Sequence, residues 1–367
     1  MAFRDQAQRF QSIGARLNKP SQPKLPPVNA IRIVLITFLY AMLPTILGAD
    51  PFLPKSIRSG EYRITTQRLS DEPIIDYDSS PTLGFKINGP SVIRVPSWIS
   101  NPLGKYYLYF AHHDGKFIRL AYADRIAGPW TVYEPGTLSL DESPAFIGHI
   151  ASPDVHVDHA NQSIRMYYHG SRETTNQRTA TATSKDGVRF DASNEVIGSS
   201  YFRVFQWKDA YYAIDAHGFL NRSDEWDSGW EIAPHALVPP IAIDDEFGYR
   251  EDLRIRHSAV LVKNDTLFLF YTRKSDAPER ILVSQIDLAT DWTQWTASEP
   301  IELLRPETNY EGIQYAIAPS KKGGGKEVQQ LRDPYVFEDT DGQLYLFYST
   351  AGEMGLAVAR LEIDLNR

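Results

Sequence analysis

The sequence predicts an all-β protein folded as a five-bladed β-propeller. Tyr and Phe are abundant, at 20 and 17 residues, as are Pro and Gly, at 24 and 23. This mixture favours many short strands and tight turns over long helices. A unit of three strands, the second rich in Tyr and Phe, recurs five times at spacings of about 45 to 75 residues, which is typical of propeller blades. A β-sandwich with irregular strands is the alternative, and the fivefold recurrence argues against it.

The five units differ in length but keep the same order of strands. Their predicted strands are 89–95, 105–115 and 117–124; 152–158, 164–171 and 178–190; 201–207, 210–218 and 219–226; 257–263, 266–276 and 280–288; 332–339, 343–353 and 355–363. The last unit stops after its third strand. We therefore expect segment 61–69 to supply its outer strand and to close the ring, which removes the free sheet edges.

The first 49 residues are predicted to be a separate segment, followed by one propeller domain over residues 50–367. Residues 33–49 form an apolar run without charge, and six Lys or Arg precede it. A basic region followed by an apolar run and small residues is the pattern of a signal peptide. An uncleaved anchor and a buried helix are the alternatives. The chain is therefore expected to be exported, and to meet a membrane only through residues 33–49 if they are not cleaved.

Composition and charge exclude several classes of function. The chain has no Cys, which excludes disulfides, thiolate metal sites and Cys nucleophiles. The formal net charge is −8, and no basic stripe is visible. We therefore expect no nucleic-acid partner.

Polar residues are predicted to converge at one end of the propeller axis. In each blade, the start of the inner strand and the end of the second strand reach the same face of the disc. Three of the five blades carry His at the end of the second strand. The candidate substrate-binding residues at these positions are Asn88, His112, His113, His169, His217, Arg256, His257, Arg273 and Arg332.

Two long loops, 236–255 and 305–331, are expected to reach the same face. They carry acids beside aromatic residues, including Glu251 and Glu311. Such a combination suits a sugar, which stacks through its C–H face and forms hydrogen bonds through its hydroxyls. We therefore expect an oligosaccharide or polysaccharide as the partner.

Two strings resemble the five-bladed glycoside hydrolases, the assemblage that includes families 32, 43, 68, 117 and 130. LRDPYVFED (331–339) resembles the Arg-Asp-Pro strand start of that group, and ATSKDGVRF (182–190) is similar to its third-strand signature. The resemblance covers roughly residues 85–363. It implies a propeller that uses carboxyl groups as acid and base or nucleophile. The first blade departs from the pattern, because Asn88-Gly89-Pro90 stands where these families usually present an aspartate before the proline.

The preferred hypothesis is a glycoside hydrolase. Asp154 and Asp333 are the predicted acid and base, with Glu311 or Glu251 as a third carboxyl. The histidines would hold hydroxyls or a carboxylate, and the arginines would recognise an acidic sugar. No cofactor is expected to be required, the metal ligands are not identified, and a divalent cation such as Ca²⁺ on the propeller axis is left open.

Two other functions stay open. A histidine-based lyase acting on acidic polysaccharide, with or without a metal, would explain the many histidines and the missing first-blade aspartate. A non-catalytic carbohydrate-binding propeller would explain a degraded first-blade motif. Separately, Asn161, Asn221 and Asn264 each begin an Asn-X-Ser/Thr sequon for N-glycosylation.

Overall fold

The structure, a computed structural model, describes residues 50–112, 116–172, 177–244, 250–320 and 327–365. By compactness the chain divides into Met1–Gly48 and Ala49–Arg367. The first unit lies outside the described residues, so the signal peptide or anchor at 1–49 stays a prediction. Among the residues described, no helix is both long and apolar enough to cross a membrane.

The second unit is a five-bladed β-propeller, as predicted. Three strands precede the first complete blade: β1 (Lys55–Ser59), β2 (Tyr62–Arg68) and β3 (Ile75–Asp76). Blade 1 consists of β4 (Ile87–Arg94), β5 (Tyr106–His112), β6 (Phe117–Ala123) and β7 (Thr131–Ser139). Blade 2 consists of β8 (Ile150–Asp158), β9 (Ser163–Ser171), β10 (Gln177–Ser184) and β11 (Asp191–Ser199). Blade 3 consists of β12 (Arg203–Trp207), β13 (Ala210–Ile214), β14 (Phe219–Ser223) and β15 (Glu231–Ala236).

A two-stranded hairpin, β16 (Ile241–Asp244) and β17 (Arg250–Leu253), joins blade 3 to blade 4. Blade 4 consists of β18 (Ile255–Lys263), β19 (Thr266–Arg273), β20 (Ile281–Asp287) and β21 (Ile301–Leu304). Blade 5 begins with β22 (Arg332–Glu338), β23 (Leu344–Thr350) and β24 (Gly355–Leu365). Short 3₁₀ turns lie at Leu140–Glu142, Trp292–Gln294 and Asn309–Glu311.

The ring closes as the sequence predicts. Strand β2, within the predicted segment 61–69, pairs antiparallel with β24 from Tyr62 opposite Leu365 to Arg68 opposite Ala359. The first and last parts of the propeller therefore share one sheet, and β1 extends that sheet outward. No edge of blade 5 is left free next to β24, since β2 covers it.

The aromatic second strands are explained by the packing between blades. In β5, Tyr107 and Tyr109 contribute to the core shared with blade 2, whereas Leu108 and Phe110 contribute to the core shared with blade 5. Alternate side chains of a strand point to opposite faces of the sheet, and both faces are covered here. Each interface between neighbouring blades holds a hydrophobic cluster of its own. The cluster between blades 2 and 3 is the smallest, with Tyr167, Phe202, Val204 and Ala213 as its buried residues.

Candidate functional site

The inner strands of four blades carry a β-bulge close to the axis. The pairing register shifts between Asn88 and Ser91, Ala151 and Asp154, Ile255 and Ser258, and Arg332 and Tyr335. A bulge inserts an extra residue, bends the strand and redirects a side chain. At three of these bulges a residue adopts a positive φ: Gly89 at 62°, Ser152 at 48° and Asp333 at 47°. For Ser and Asp this conformation costs on the order of 1–3 kcal/mol, and such strain often accompanies functional sites.

Steric contact with the neighbouring blade explains why residue 89 of blade 1 is a glycine. A Cβ atom added at Gly89 would lie 2.9 Å from the Cα of Ser152, on the neighbouring inner strand. Contacts this short do not occur between a Cβ and backbone atoms, so the backbone would have to shift for any side chain to fit. Blade 1 of this chain therefore cannot present a carboxylate at this position without rearrangement.

A cavity of about 140 Å³ lies at the end of the axis where the inner strands begin. All five blades contribute to its wall, as the sequence predicts for this end of the propeller. It is lined by Asn88, His149, Ser152, His169, Gln177, Ser200, Tyr201, Ala216, Arg256, His257 and Asp333.

Asp333 is the carboxyl group among the described residues that lines this cavity, and it is 1% exposed. Tyr201 donates a hydrogen bond to Oδ1 at 2.8 Å, and Ser349 donates to Oδ2 at 3.3 Å. His257 Nδ1 lies 3.4 Å from Oδ1. Burial, together with the negative charge of Glu353, raises the pKa of Asp333 to about 6. A carboxyl with such a pKa holds or releases a proton near neutral pH.

Aromatic rings follow one side of the cavity from blade 2 to blade 4. The ring centroids of His149 and His169 are 5.9 Å apart, and those of His169 and Tyr201 are 5.8 Å apart. Tyr201 stacks on His257 at 5.1 Å. Gln177 contacts Nε2 of His149 at 3.1 Å, so the outer end of the row is held by an amide. The predicted convergence of histidines is thus present for His169 and His257.

The arginines near the cavity are paired with buried carboxylates. Arg332 donates from Nη1 to Glu353 at 2.7 Å, and its Nε lies 3.0 Å from Glu279. Arg256 lies 3.6 Å from the same carboxylate of Glu279 and donates to the carbonyl oxygen of Ser320 at 3.0 Å. Arg332 is 3% exposed, so it supports the floor behind Asp333 and does not line the cavity. The charge of these arginines is largely neutralised within the protein.

Asp154 does not line the cavity with Asp333. Its Oδ2 accepts from the backbone N–H of Val204 at 2.8 Å and contacts His156 Nε2 at 2.9 Å. Burial acts to raise the pKa of this carboxyl, but His156 and Arg203 outweigh burial and hold its pKa below the ordinary value. His156 lies further along β8 and lines a separate cavity between blades 2 and 3. The geometry therefore does not support the predicted pairing of Asp154 and Asp333 as acid and base.

Glu311 is a structural anchor outside the cavity. Both of its oxygens are occupied: Arg68 donates from Nε at 2.7 Å and Nη2 at 2.8 Å, and Tyr348 donates at 2.8 Å. The backbone N–H groups of Glu307 and Thr308 also donate to Oε2. Glu311 is 0% exposed and caps its own 3₁₀ turn, so it ties residues 305–311 to the closing strand β2. The geometry does not support its predicted catalytic role.

Glu311→Gln is expected to destabilise the fold by about 3 kcal/mol while leaving kcat of the folded protein unchanged. Removing one member of a buried ion pair leaves the other charge without full compensation. Glu307→Gln is the matched control, because Glu307 bonds the same Arg68 at 2.9 Å but its side chain is 28% exposed. Glu307→Gln should lower the unfolding free energy by no more than about 1 kcal/mol. Urea unfolding midpoints of the two variants test this, and equal midpoints would contradict it.

The remaining predicted residues lie elsewhere or beyond the described side chains. His217 is exposed, and Arg273 packs over the ring of Tyr271 at 5.7 Å; neither lines the cavity. Asn88 does line it and donates to the carbonyl of Lys86 at 2.8 Å. His112 ends β5 and Glu251 lies in β17, but their side chains, like His113 as a whole, lie outside the described part of the chain.

Sequence reasoning missed Tyr201, His149, Gln177 and Glu279. The repeat pattern contained a signal for Tyr201. Tyr201 lies two residues before the buried Arg203 of blade 3, as Ser152 lies two residues before the buried Asp154 of blade 2. It also shares the positive φ of that position, at 67°. The other three residues come from connections between strands or from strand ends whose register no repeat predicts.

Among the described residues, no three His, Asp or Glu side chains are grouped so that they could hold a metal ion. The cation on the axis therefore stays a prediction. A buried guanidinium joins the inner strands of blades 2 and 4. Arg203 donates to the carbonyl oxygens of Pro153 at 2.9 Å and Ser258 at 3.1 Å and lies over the Tyr201 ring at 4.3 Å.

No family model matches the chain. It is 40% identical over 302 residues to Uncharacterized protein R118 of Acanthamoeba polyphaga mimivirus, an alignment that covers 76% of this chain and 84% of that protein. The chain belongs to the family of this mimivirus protein.

Solved structures similar to this member of the family are glycoside hydrolases. The endo-arabinase from Bacteroides thetaiotaomicron matches with a TM-score of 0.53 and 13% identity, covering 79% of this chain and 95% of that one. The GH43_1 enzyme from Xanthomonas citri complexed with xylose matches with a TM-score of 0.50 and 13% identity, covering 81% and 90%. A thermostable family-43 glycoside hydrolase matches at 0.51 and 15%, covering 77% and 89%. At these identities the similarity shows a shared five-bladed fold, as the sequence resemblance predicts.

Proposed function

We propose that this chain is a carbohydrate-active enzyme that cleaves a glycosidic bond, with Asp333 as the general acid. The observation that carries the proposal is the buried carboxyl at the cavity wall with a pKa of about 6. Glycosidic cleavage needs a carboxyl whose protonated form is still populated in mildly acidic to neutral solution and can deliver its proton to the leaving oxygen. A purely structural aspartate would instead be paired with a cation and have a lowered pKa, as Asp154 does.

The rest of the wall supports an uncharged sugar. Tyr201, His169, His257 and Gln177 offer hydrogen-bonding groups that match the hydroxyls of a sugar. Arg256 faces the cavity, but its charge is shared with Glu279. The Xanthomonas citri enzyme with the same fold was captured with xylose, a neutral sugar. We therefore propose a neutral oligosaccharide as the substrate, in place of the acidic sugar that the arginines suggest from sequence.

Glycosidases use a second carboxyl to activate water or to attack the anomeric carbon. Of the carboxyls predicted from sequence, Glu251 is the one we propose for this role. It lies in β17, which ends two residues before β18, and β18 carries Arg256 and His257 into the cavity wall. The chain therefore enters the cavity wall within a few residues of the end of β17.

Glu251→Gln is expected to lower kcat/KM at least about 100-fold, because positioned acid–base groups contribute factors of this size or more. Glu195→Gln is the control, since Glu195 is exposed on the outer strand β11, and it should leave kcat/KM unchanged. Initial rates on a neutral oligosaccharide that the wild-type protein cleaves provide the measurement. Full activity of the Glu251 variant would show that another group activates the water or attacks the anomeric carbon.

The decisive experiment identifies the products. Purified protein is incubated with neutral oligosaccharides in ¹⁸O-labelled water, and the products are analysed by mass spectrometry. One ¹⁸O in the new reducing end, formed at least about 100-fold more slowly with Asp333→Asn, supports hydrolysis. Binding of oligosaccharide without turnover of any substrate would contradict the proposal in favour of a binding propeller.

A histidine-based lyase is the second candidate, favoured by one observation. His149, His169, His257 and Tyr201 lie along the same wall, with a single carboxyl among the described residues there. A lyase acting on a uronate would give an unsaturated product that absorbs in the near ultraviolet and contains no ¹⁸O. The same incubation with acidic polysaccharide distinguishes the two reactions.

A further inference from the structure

The three sequons of the chain occupy different structural settings. Asn161 lies in the turn between β8 and β9, and Asn264 lies in the turn between β18 and β19; both are exposed. Asn221 is 5% exposed in the middle of β14, where its Nδ2 donates to the carbonyl oxygen of Phe219 at 3.3 Å. Its strand is paired on both sides, with β13 and with β15. A glycan on Asn221 has no space in the folded blade.

The two exposed sequons share one end of the propeller. Inner strands begin at the cavity, with Ser152 on β8 and His257 on β18 in its wall, and run away from it. The turn that follows each inner strand therefore lies at the opposite end of the axis. Glycans at Asn161 and Asn264 would leave the mouth of the cavity free.

We propose that Asn161 and Asn264 are N-glycosylation sites of the exported chain and that Asn221 is not modified. The proposal is independent of the function proposed above and rests on export directed by the N-terminal segment. A basic segment before the apolar run 33–49 favours retention of the N-terminus in the cytoplasm and translocation of the residues after the run, whether or not the run is cleaved.

The modification transfers a glycan from a polyprenyl pyrophosphate donor. The Nδ2 atom of Asn forms a bond to C1 of the first sugar, the C1–O bond to the lipid pyrophosphate breaks, and the lipid pyrophosphate leaves. One amide proton is lost to the transferase. The amide keeps its second N–H, so Asn161 can still donate to Asp158 Oδ2, which it contacts at 2.7 Å.

The test is translation of the full chain in the presence of eukaryotic microsomes, followed by protease protection. Treatment with peptide-N-glycosidase in ¹⁸O-labelled water and peptide mapping then locate each glycan. We expect the wild-type chain to be protected from protease and to carry two glycans. The single variants Asn161→Gln and Asn264→Gln should each carry one glycan, and the double variant should carry none. The peptide that contains Asn221 serves as the internal control and should carry no label.

Each contrary result overturns a different part of the proposal. A chain that is degraded by protease and carries no glycan contradicts export. A protected chain without glycans contradicts the accessibility of the two turns. A label on Asn221 in protein that folds contradicts the discrimination between buried and exposed sequons.

Discussion

Asp333→Asn is expected to lower kcat/KM by about 10²- to 10⁴-fold, the range that a positioned general acid contributes. Asn has nearly the same shape as Asp, and its amide can still bond Tyr201 and Ser349, so the cavity should keep its geometry. The variant has no proton to deliver to a leaving oxygen. In the wild type, kcat/KM should fall as the pH rises through about 6, because the carboxyl then ionises.

The same substitution should stabilise the protein at neutral pH. The pKa of Asp333 is raised from 3.8 to about 6, so the folded state binds its proton more tightly than the unfolded state does. Stability therefore declines as the pH rises from about 4 to about 6, and above that window the buried carboxylate costs about 3 kcal/mol. Asn removes this cost, so the gain in unfolding free energy should be present at pH 7 and absent below about pH 4.

Asp154→Asn is the matched control, since Asp154 is also a buried inner-strand aspartate but has a lowered pKa. Its carboxylate contributes stability above its unfolded pKa, and this contribution is lost as the pH falls. The variant should be less stable than wild type at pH 7, the opposite sign to Asp333→Asn. Urea unfolding from pH 4 to pH 8 and rate profiles over the same range test both variants. An Asp333→Asn enzyme with the wild-type rate and pH profile would remove Asp333 from the mechanism.

The closure of the ring could be predicted from sequence because its cause is local and repetitive. Each second strand packs both faces against neighbouring blades, so aromatic runs such as 106–110 recur once per blade. A unit that lacks its outer strand must obtain it elsewhere, and 61–69 was the remaining strand pattern. The end of the axis at which polar residues meet follows from the same topology, which is why His169, His257 and Asp333 were found.

The roles of individual carboxyls could not be predicted, because they depend on partners distant in sequence. Glu311 becomes an anchor through Arg68, which is 243 residues away. Asp154 becomes a charged structural group through Arg203 and the backbone N–H of Val204 in the next blade, and the string SPDVHVD shows only its nearby partner His156. Similarly, the glycine of blade 1 is explained by its distance from Ser152, a contact between blades.

Arg203→Met is expected to cost about 3 to 5 kcal/mol of unfolding free energy, the largest stability loss among the substitutions considered. Arg203 is 1% exposed and holds the inner strands of blades 2 and 4 through the carbonyl oxygens of Pro153 and Ser258. Burial opposes its charge, but Tyr201 and Asp154 outweigh burial and raise the pKa of the guanidinium above its ordinary value. Met would leave these carbonyls and the Asp154 carboxylate without their cation, and breaking a buried pair in this way costs several kcal/mol.

Arg203→Lys keeps the charge but loses the planar fork that reaches several carbonyls at once, so its stability loss should be smaller. The guanidinium also packs on the ring of Tyr201, 4.3 Å from its centroid, and Tyr201 donates a hydrogen bond to Asp333. The Lys variant should therefore show a lower kcat, with little change in KM for the fraction of protein that is folded. Arg222→Met in the same blade is the control, since its partner Asp224 is 74% exposed and the pair should contribute less than about 1 kcal/mol. Urea unfolding midpoints rank the three variants. If Arg203→Met unfolded within about 1 kcal/mol of Arg222→Met, then Arg203 would not be the group that holds the inner strands together around the axis.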